Sequence, residues 1–209
     1  MKFVPNFMSS DRLVEAAYRN IALINQHCPD PKVIFDIGSN VGVFSCIFAE
    51  KYPDETIHAF EPIRPTYEVL LKNIKNNGFT GRIHAYNVAL WSNHGRIRLG
   101  MPNNKDQRNS GLYSIYCEGS PVEVNARTLD DITTAIPDLI KADAEGVEGE
   151  IIRGGAKKFA AAKCIYIERG KYPIPGAPPY TIIEDLLRRA GLTQIAQGHD
   201  EIWTRTTNE

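Results

Sequence analysis

Residues 33–42 contain a short apolar run, Val33–Ile37, that passes directly into a turn with two glycines, Gly38 and Gly42. The run does not alternate apolar and polar residues, which is typical of a strand buried on both faces of a parallel sheet. The following residues recur at helical spacing: Val43, Phe44, Ile47 and Phe48. A buried strand, a glycine turn and a helix together predict an α/β fold.

The same alternation of strand and helix continues along the chain. The predicted strands of the sheet are Val33–Ile37, Thr56–Phe60, Arg82–Val88, Leu139–Ala142, Cys164–Ile167, Thr193–Ala196 and Glu201–Thr204. An N-terminal helical segment is expected within residues 1–30, and further helices are expected after the first strand, from Pro65, over Leu129–Ala135, from Val147 and over Thr181–Ala190. The pattern predicts one doubly wound, mostly parallel, seven-stranded sheet with helices on both faces.

Residues 95–125 interrupt this alternation. They contain strand-like pieces at Arg96–Leu99, Leu112–Tyr116 and Val122–Asn125, and a polar loop at Met101–Ser110. Because α/β elements continue afterwards, we interpret the segment as a small β insertion before the fourth strand, within a single domain of residues 1–209. The loop is the expected place where a substrate is selected, and the strand-like pieces are a candidate edge for a homodimer.

Composition and charge exclude several classes of protein. The 209 residues are 43% hydrophobic and 23% charged, as in globular domains, and the net charge of −1 lacks the basic excess of nucleic-acid-binding proteins. No stretch approaches the roughly 18 apolar residues that a membrane span needs. The four cysteines are widely spaced and form no C-x-x-C pair, which disfavours a zinc site and a disulfide framework. The expected location is the cytoplasm.

The turn after the first strand is predicted to bind a ligand, because ligands bind outside the carboxyl ends of strands in doubly wound sheets. Its glycines do not have the G-x-G-x-x-G spacing of dinucleotide sites, and Asp36 precedes them. That carboxylate would repel a pyrophosphate but suits the amino group of an amino acid. Glu61 ends the second strand and can accept hydrogen bonds from two ribose hydroxyls. Tight packing and helix capping are the alternative interpretations, but the combination favours a nucleoside that carries an amino acid.

Six motifs occur in order over residues 33–168: Phe35–Gly42 (FDIGSNVG), Ala59–Pro62 (AFEP), Asn87–Leu90 (NVAL), Arg127–Asp131 (RTLDD), Ile140–Glu148 (IKADAEGVE) and Tyr166–Glu168 (YIE). In these motifs the chain resembles the FkbM family of methyltransferases, which have the class I, Rossmann-like fold. The resemblance implies S-adenosylmethionine as the methyl donor. It also implies a hydroxyl group of a small-molecule or glycan-like acceptor as the methylated group.

The resemblance also assigns roles to residues of the donor site. It implies that the Asp36–Gly42 loop holds the methionine part, that Glu61 holds the ribose, and that Asn87–Ala89 line the adenine slot. The expected donor contacts are Asp36, Gly38, Ser39, Asn40, Gly42, Glu61, Pro62, Asn87, Val88, Ala89 and Asp143.

Acidic residues at strand ends are the candidates for catalysis. A hydroxyl is a poor nucleophile and needs help in losing its proton, so we assign Asp143, Glu145 and Glu168 as candidate catalytic residues. Glu148 falls in the first turn of a helix, where the helix dipole alone favours an acid. Carboxylates also suit Mg²⁺, but no histidine joins them, so a divalent cation is not favoured and no metal ligands are assigned.

Two other functions stay open at this point. The first alternative is a non-catalytic domain that binds S-adenosylmethionine, and the second is an N-methyltransferase for a small amine. Methylation of the amino groups of nucleic-acid bases is not expected, because Asp143–Gly146 (DAEG) stands at the fourth strand end where such enzymes carry Asp/Asn-Pro-Pro-Tyr.

Overall fold

The computed structural model describes residues 1–4, 10–101, 113–117, 119–169, 176–196 and 200–205. The helices in this part of the chain are α1 (Asp11–His27), α2 (Val43–Lys51), α3 (Arg64–Asn76), α4 (Leu129–Ile132), α5 (Glu148–Gly154), α6 (Ala156–Ala161) and α7 (Thr181–Arg189). The strands are β1 (Val33–Ile37), β2 (Thr56–Phe60), β3 (Ile83–Tyr86), β4 (Ala89–Leu90), β5 (Gly95–Met101), β6 (Gly119–Arg127), β7 (Leu139–Ala142), β8 (Cys164–Glu168), β9 (Leu192–Ala196) and β10 (Asp200–Arg205). None of the helices described here combines the length and the apolar character that crossing a bilayer requires.

The main sheet has seven strands in the order β3-β2-β1-β7-β8-β10-β9. All neighbouring strands are parallel except β10, which runs antiparallel to both β8 and β9. This confirms the predicted mostly parallel, seven-stranded α/β fold. The chain order reverses between β1 and β7, and crevices at such a reversal are the usual ligand sites of open α/β sheets.

Apolar side chains cover both faces of this sheet, which explains the uninterrupted hydrophobic strands. Ile34 of β1 belongs to a core shared with α1, α2 and α3, whereas Phe35 and Ile37 belong to a second core shared with α4 to α7. The two cores require helices on both sides. A strand buried on both faces therefore predicts the layered architecture correctly.

The β insertion is present as a second sheet with the order β4-β6-β5. The predicted strand Arg82–Val88 is too long, because β3 ends at Tyr86 and the chain then moves to β4 of the second sheet. The strand predicted at 112–116 is wrong over its described residues, which form turns and one isolated bridge between Ser114 and Gly100. The loop at 101–110, which is predicted to select the substrate, falls almost entirely outside the described residues. The use of the strand-like pieces within 95–125 as the edge of a homodimer stays a prediction.

Candidate active site

A cavity of about 430 Å³ opens at the carboxyl ends of the strands around the reversal of strand order. Its volume lies within the roughly 300–1,000 Å³ that is typical of ligand pockets. The wall is formed by the turn after β1, the ends of β2, β7 and β8, one side of α1 and the second sheet. The strand-end rule therefore places the cavity correctly.

The turn after β1 packs directly against the end of β7. Gly38 has a φ of +71°, and a Cβ atom at this position would lie 1.8 Å from the carbonyl oxygen of Asp143. The backbone N–H groups of Gly38 and Ser39 donate to the carbonyl of Phe60 at 3.1 and 3.0 Å. Only glycine satisfies both the positive φ and this close approach. The turn is thus held between β2 and β7, with its backbone on the cavity wall.

Glu61 lies at the end of β2 and is 6% exposed. Its carboxylate accepts backbone hydrogen bonds from Asn40 at 3.0 Å and from Ile63 at 2.8 Å. Burial raises the pKa of Glu61 to about 7, although these two hydrogen bonds act in the opposite direction. The carboxylate is therefore fixed on the cavity wall beside the turn, where ribose binding was predicted.

The raised pKa of Glu61 predicts pH-dependent donor binding. The ionised carboxylate accepts hydrogen bonds that the protonated acid loses, so affinity for S-adenosylhomocysteine should fall as the pH decreases from about 8 to about 6. Glu61→Gln should weaken binding by about 10- to 100-fold, because charge-assisted hydrogen bonds are removed. Titration calorimetry across this pH range tests both effects. The affinity of Glu61→Gln for S-adenosylhomocysteine should not change with pH over this range. If it changes as much as that of the wild type, Glu61 is not the group that causes the pH dependence.

Asp36 lies behind the cavity wall. Its carboxylate is 0% exposed, accepts a hydrogen bond from Ser45 Oγ at 2.5 Å and lies 3.3 Å from Lys141 Nζ. Asp36 and Lys141 face each other because they are register partners on β1 and β7. The predicted contact between Asp36 and an amino group of the ligand is therefore not available in this structure. The carboxylate instead belongs to a buried ion pair beneath the turn.

Lys141 is the central polar residue that the sequence interpretation missed. Its Nζ lies 3.6 Å from Asp143 Oδ2, and it donates to the carbonyls of Gly38 at 3.1 Å and Ile37 at 3.4 Å. Burial opposes its charge, but Asp36 and Asp143 outweigh that effect and raise the pKa of Lys141 above its ordinary value. The sequence did contain an indication of this role, because a lysine inside a short apolar strand must find a buried partner of opposite charge.

Asp143 and Glu168 form a carboxyl pair at the ends of β7 and β8. The side chain of Asp143 is 34% exposed and lies beside Lys141. Burial, the charge of Asp143 and a hydrogen bond with Asp143 raise the pKa of Glu168 far above its ordinary value. At neutral pH Glu168 therefore keeps its proton and shares it in the hydrogen bond with Asp143. The Asp143 carboxyl group is thus placed between Lys141 and Glu168 on the wall of the cavity.

The structure brings most predicted site residues to this cavity. The wall includes Gly38, Ser39, Asn40, Glu61, Pro62, Val88, Ala89, Asp143, Glu145 and Glu168, but not Asp36, Gly42 or Asn87. A Cβ atom on Gly42 would lie 2.4 Å from Leu70 Cδ1, and the Asn87 amide donates to the carbonyls of Glu61 and Pro62. Gly42 and Asn87 thus shape the wall from behind. Beyond Lys141, the wall residues that were not predicted include Asn20, Tyr166 and Asp200.

Two further polar residues near this region have structural partners. Glu148 is 2% exposed and accepts backbone hydrogen bonds from Ala144 at 2.8 Å and Gly146 at 3.4 Å, which holds the loop after β7. His94 lies 3.0 Å from Asp131 Oδ2 and is not part of the cavity wall. Over the described ranges, no group of three or more His, Cys, Asp or Glu side chains is arranged to hold a metal ion.

Comparison with known families agrees with this geometry. Residues 36–192 match the family model of the methyltransferase FkbM domain, which covers most of the chain. The chain belongs to the FkbM methyltransferase family.

Several curated methyltransferases are similar in sequence to this chain. Methyltransferase 1 of Beauveria bassiana is 28% identical over 148 residues, which cover 60% of this chain and 59% of that protein. The 2-O-methyltransferase NoeI of Sinorhizobium fredii is 28% identical over 179 residues, 76% of this chain and 72% of its own length. The hexuronic acid methyltransferase AglP of Haloferax volcanii is 24% identical over 152 residues, 71% of this chain and 60% of its own length.

A solved FkbM methyltransferase from Methylobacillus flagellatus has the same fold. It superimposes with a TM-score of 0.57 at 15% identity, over 83% of this chain and 43% of the other chain. At that identity the likeness supports the class I methyltransferase fold alone. The chain spans less than two thirds of Methyltransferase 1 and of this solved chain.

Proposed function

We propose that this FkbM methyltransferase transfers the methyl group of S-adenosylmethionine to a hydroxyl group of a small-molecule or glycan-like acceptor. The observation that carries this proposal is the position of the Asp143 carboxyl group, which lies beside Lys141 and Glu168 on the same cavity wall as the turn after β1. When bound, S-adenosylmethionine supplies an electrophilic methyl group on a positively charged sulfur.

The residues around the cavity fit this donor. Glu61 offers a buried carboxylate for the ribose hydroxyls, and the backbone of Gly38–Asn40 approaches the cavity without a side chain at Gly38. The part of the wall that would hold the adenine is apolar and consists of Val88, Ala89, Leu90, Ile97 and Leu99. A buried carboxylate next to an apolar slot suits a nucleoside better than a phosphate group, which these residues would repel.

The carboxyl pair supports a hydroxyl acceptor. An alcohol must lose its proton during transfer, and a positioned base contributes about 10²- to 10⁴-fold to such a step. In this site the proton passes to the carboxylate of Asp143, because Glu168 already carries one and donates its hydrogen bond to Asp143. Lys141 lies beside that carboxylate and donates to the carbonyl of Gly38, so it holds Asp143 close to the turn. A neutral amine brings its own lone pair and needs no such base, so the geometry favours O-methylation over N-methylation.

The names of two relatives point in the same direction. NoeI is a 2-O-methyltransferase, and AglP is a hexuronic acid methyltransferase. Release of S-adenosylhomocysteine from S-adenosylmethionine, measured over a panel of hydroxyl and amine acceptors, tests the proposal. Turnover with hydroxyl acceptors is expected, whereas turnover with amines alone would contradict it. Donor binding without any turnover would favour a non-catalytic domain.

Donor binding should stabilise the folded protein. At a ligand concentration 100 times Kd, the free energy of unfolding rises by about 2.7 kcal/mol. For a domain of this size that corresponds to an increase in Tm of roughly 5–10 °C. Thermal unfolding with S-adenosylmethionine, S-adenosylhomocysteine and NAD measures the effect. NAD should leave the Tm unchanged, and a folded sample that responds to neither adenosyl ligand would refute the donor assignment.

A further inference from the structure

The turn after β1 has an unusual backbone conformation where it lines the cavity. Asn40 has a φ of +50° and lies between Gly38 and Gly42, whose φ values are +71° and +84°. A left-handed conformation is unfavourable for a residue other than glycine, and it persists only where surrounding groups hold it. Asn40 and the next residue, Val41, both belong to the cavity wall. The shape that the turn presents to a ligand therefore depends on the groups that hold its backbone.

Asn73 of α3 holds this backbone from behind the wall. The residue is 0% exposed, and its Nδ2 donates to the carbonyl of Val41 at 2.7 Å. One residue earlier in the turn, the N–H of Asn40 donates to the Glu61 carboxylate at 3.0 Å. Glu61 is part of the cavity wall, whereas Asn73 is not. Two neighbouring residues of the turn are thus fixed, one by the carboxylate assigned to the ribose and one by a buried amide.

The orientation of the Asn73 amide is fixed by the start of the chain. Its Oδ1 accepts a hydrogen bond from the backbone N–H of Val4 at 2.7 Å. A backbone N–H can only donate and a backbone carbonyl can only accept, so Oδ1 must face Val4 and Nδ2 must face Val41. The amide is therefore satisfied at both ends in one orientation.

Residues 2–4 are held in place by more than this one contact. Phe3 packs against the core that contains α1, α2 and α3. One helical turn after Asn73, Asn77 accepts from the Lys2 backbone N–H at 2.7 Å and donates to the Lys2 carbonyl at 2.9 Å. Two asparagines of α3 thus bind the same segment, and Asn73 is the one whose amide also reaches the turn.

We propose that Asn73 is a positioning residue for donor binding, which acts by holding the carbonyl of Val41. The inference rests on the proposed function, in which Glu61 and this turn bind S-adenosylmethionine. Without Nδ2 the buried carbonyl of Val41 loses its hydrogen bond, which is unfavourable unless the turn moves. Such a movement carries Asn40 away from Glu61, so a residue outside the cavity controls both the backbone and the carboxylate of the donor site.

Asn73→Asp tests the contact with little change of shape. The introduced carboxylate can still accept from Val4, but it places an acceptor opposite the Val41 carbonyl. At about pH 8 the affinity for S-adenosylhomocysteine, measured by titration calorimetry, should be about 10- to 100-fold below that of the wild type. Burial favours the protonated form of an acid, and the protonated carboxyl can donate to Val41. The deficit should therefore shrink as the pH decreases to about 5.5.

Each measurement is compared with the wild type at the same pH, because other titratable groups surround the turn. Asp36 and Lys141 lie beneath it, Glu61 accepts from it, and Cys46 on α2 lies near Asp36. These groups are the same in both proteins, so the ratio of the two affinities reports on residue 73. A general loss of packing would give the same ratio at every pH.

Asn73→Ala and Asn77→Ala are a matched pair without a new charge. Asn73→Ala should lose about 10-fold in affinity for S-adenosylhomocysteine at every pH. Asn77→Ala removes the hydrogen bonds to Lys2 but none to the turn, so it should lower Tm and leave the affinity essentially unchanged. Thermal unfolding shows that each variant is folded before its affinity is measured.

Three results would overturn the inference. They are wild-type affinity of Asn73→Ala, a deficit of Asn73→Asp that does not shrink as the pH decreases, and a loss in Asn77→Ala equal to that in Asn73→Ala. In all three the wild type still binds S-adenosylhomocysteine, so the proposed function stands. If the wild type itself does not bind it, the proposed function fails together with this inference.

Discussion

Asp143→Asn should lower kcat by about 10²- to 10⁴-fold, the usual contribution of a positioned general base. The substitution keeps the shape of the side chain but removes its charge and most of its basicity. Affinity for S-adenosylhomocysteine should change much less, because Glu61 and the turn after β1 belong to other strands. Single-turnover kinetics with an identified acceptor, together with calorimetry for the donor, measure the two effects separately.

Glu168→Gln is the informative comparison for this prediction. Glu168 keeps its proton and donates to Asp143, and a glutamine amide retains a donor at the same place. We therefore expect a much smaller loss of kcat than for Asp143→Asn. Near-normal turnover of Asp143→Asn would rule out Asp143 as the base and would leave Glu145 and Glu168 as the candidates. A loss that chelation of the wild type by EDTA reproduces would instead indicate a divalent cation.

Gly38→Ala should abolish donor binding, because the new side chain displaces the turn that lines the cavity from its place between β2 and β7. The new Cβ atom would lie 1.8 Å from the carbonyl oxygen of Asp143, and φ at this position is +71°. The turn must therefore move away from β7 and from Lys141, which donates to the carbonyls of Ile37 and Gly38. The free energy of unfolding should also fall by about 3–5 kcal/mol, as for other strained and overpacked substitutions. Calorimetry and denaturant unfolding measure the two losses.

Gly78→Ala separates the close approach from the backbone conformation. Gly78 follows α3 with a φ of +76°, but a Cβ atom there would meet nothing within 4 Å. The variant should lose only about 1–2 kcal/mol of stability, the cost of a left-handed conformation for alanine, and should bind donor normally. Equal losses of donor affinity and of stability in Gly38→Ala and Gly78→Ala would mean that the close approach of Gly38 to Asp143 does not contribute to donor binding.

The local elements of this fold were predictable because each one is encoded by its own residues. The strand Val33–Ile37 carries an uninterrupted apolar run, and the turn after it carries two glycines with positive φ. Glu61 and Asp143 could be placed at the cavity because the carboxyl ends of parallel strands share one edge. Two local predictions were wrong. The end of β3 is set by the path of the chain into the second sheet, and the described residues of the strand predicted at 112–116 form turns and one isolated bridge.

The partners of buried polar groups were not predictable, because they depend on which strands become neighbours. Asp36 and Lys141 are separated by about half the chain and meet only through the pairing of β1 with β7. Without that register, Asp36 was interpreted as a ligand contact, whereas its carboxylate is 0% exposed. The contribution of α1 to the cavity, through Asn20, depends in the same way on how a helix packs across the sheet edge.

The ion pair beneath the turn has a consequence for the evolution of the family. A lineage that loses Lys141 alone retains a buried carboxylate at Asp36 without compensation, which costs about 3–5 kcal/mol and is removed by selection. Replacement of both residues by neutral ones of similar volume is close to neutral for stability. The two positions should therefore change together or not at all in homologous sequences. Because Lys141 also holds Asp143, a joint replacement should identify descendants that have kept the fold while losing methyl transfer.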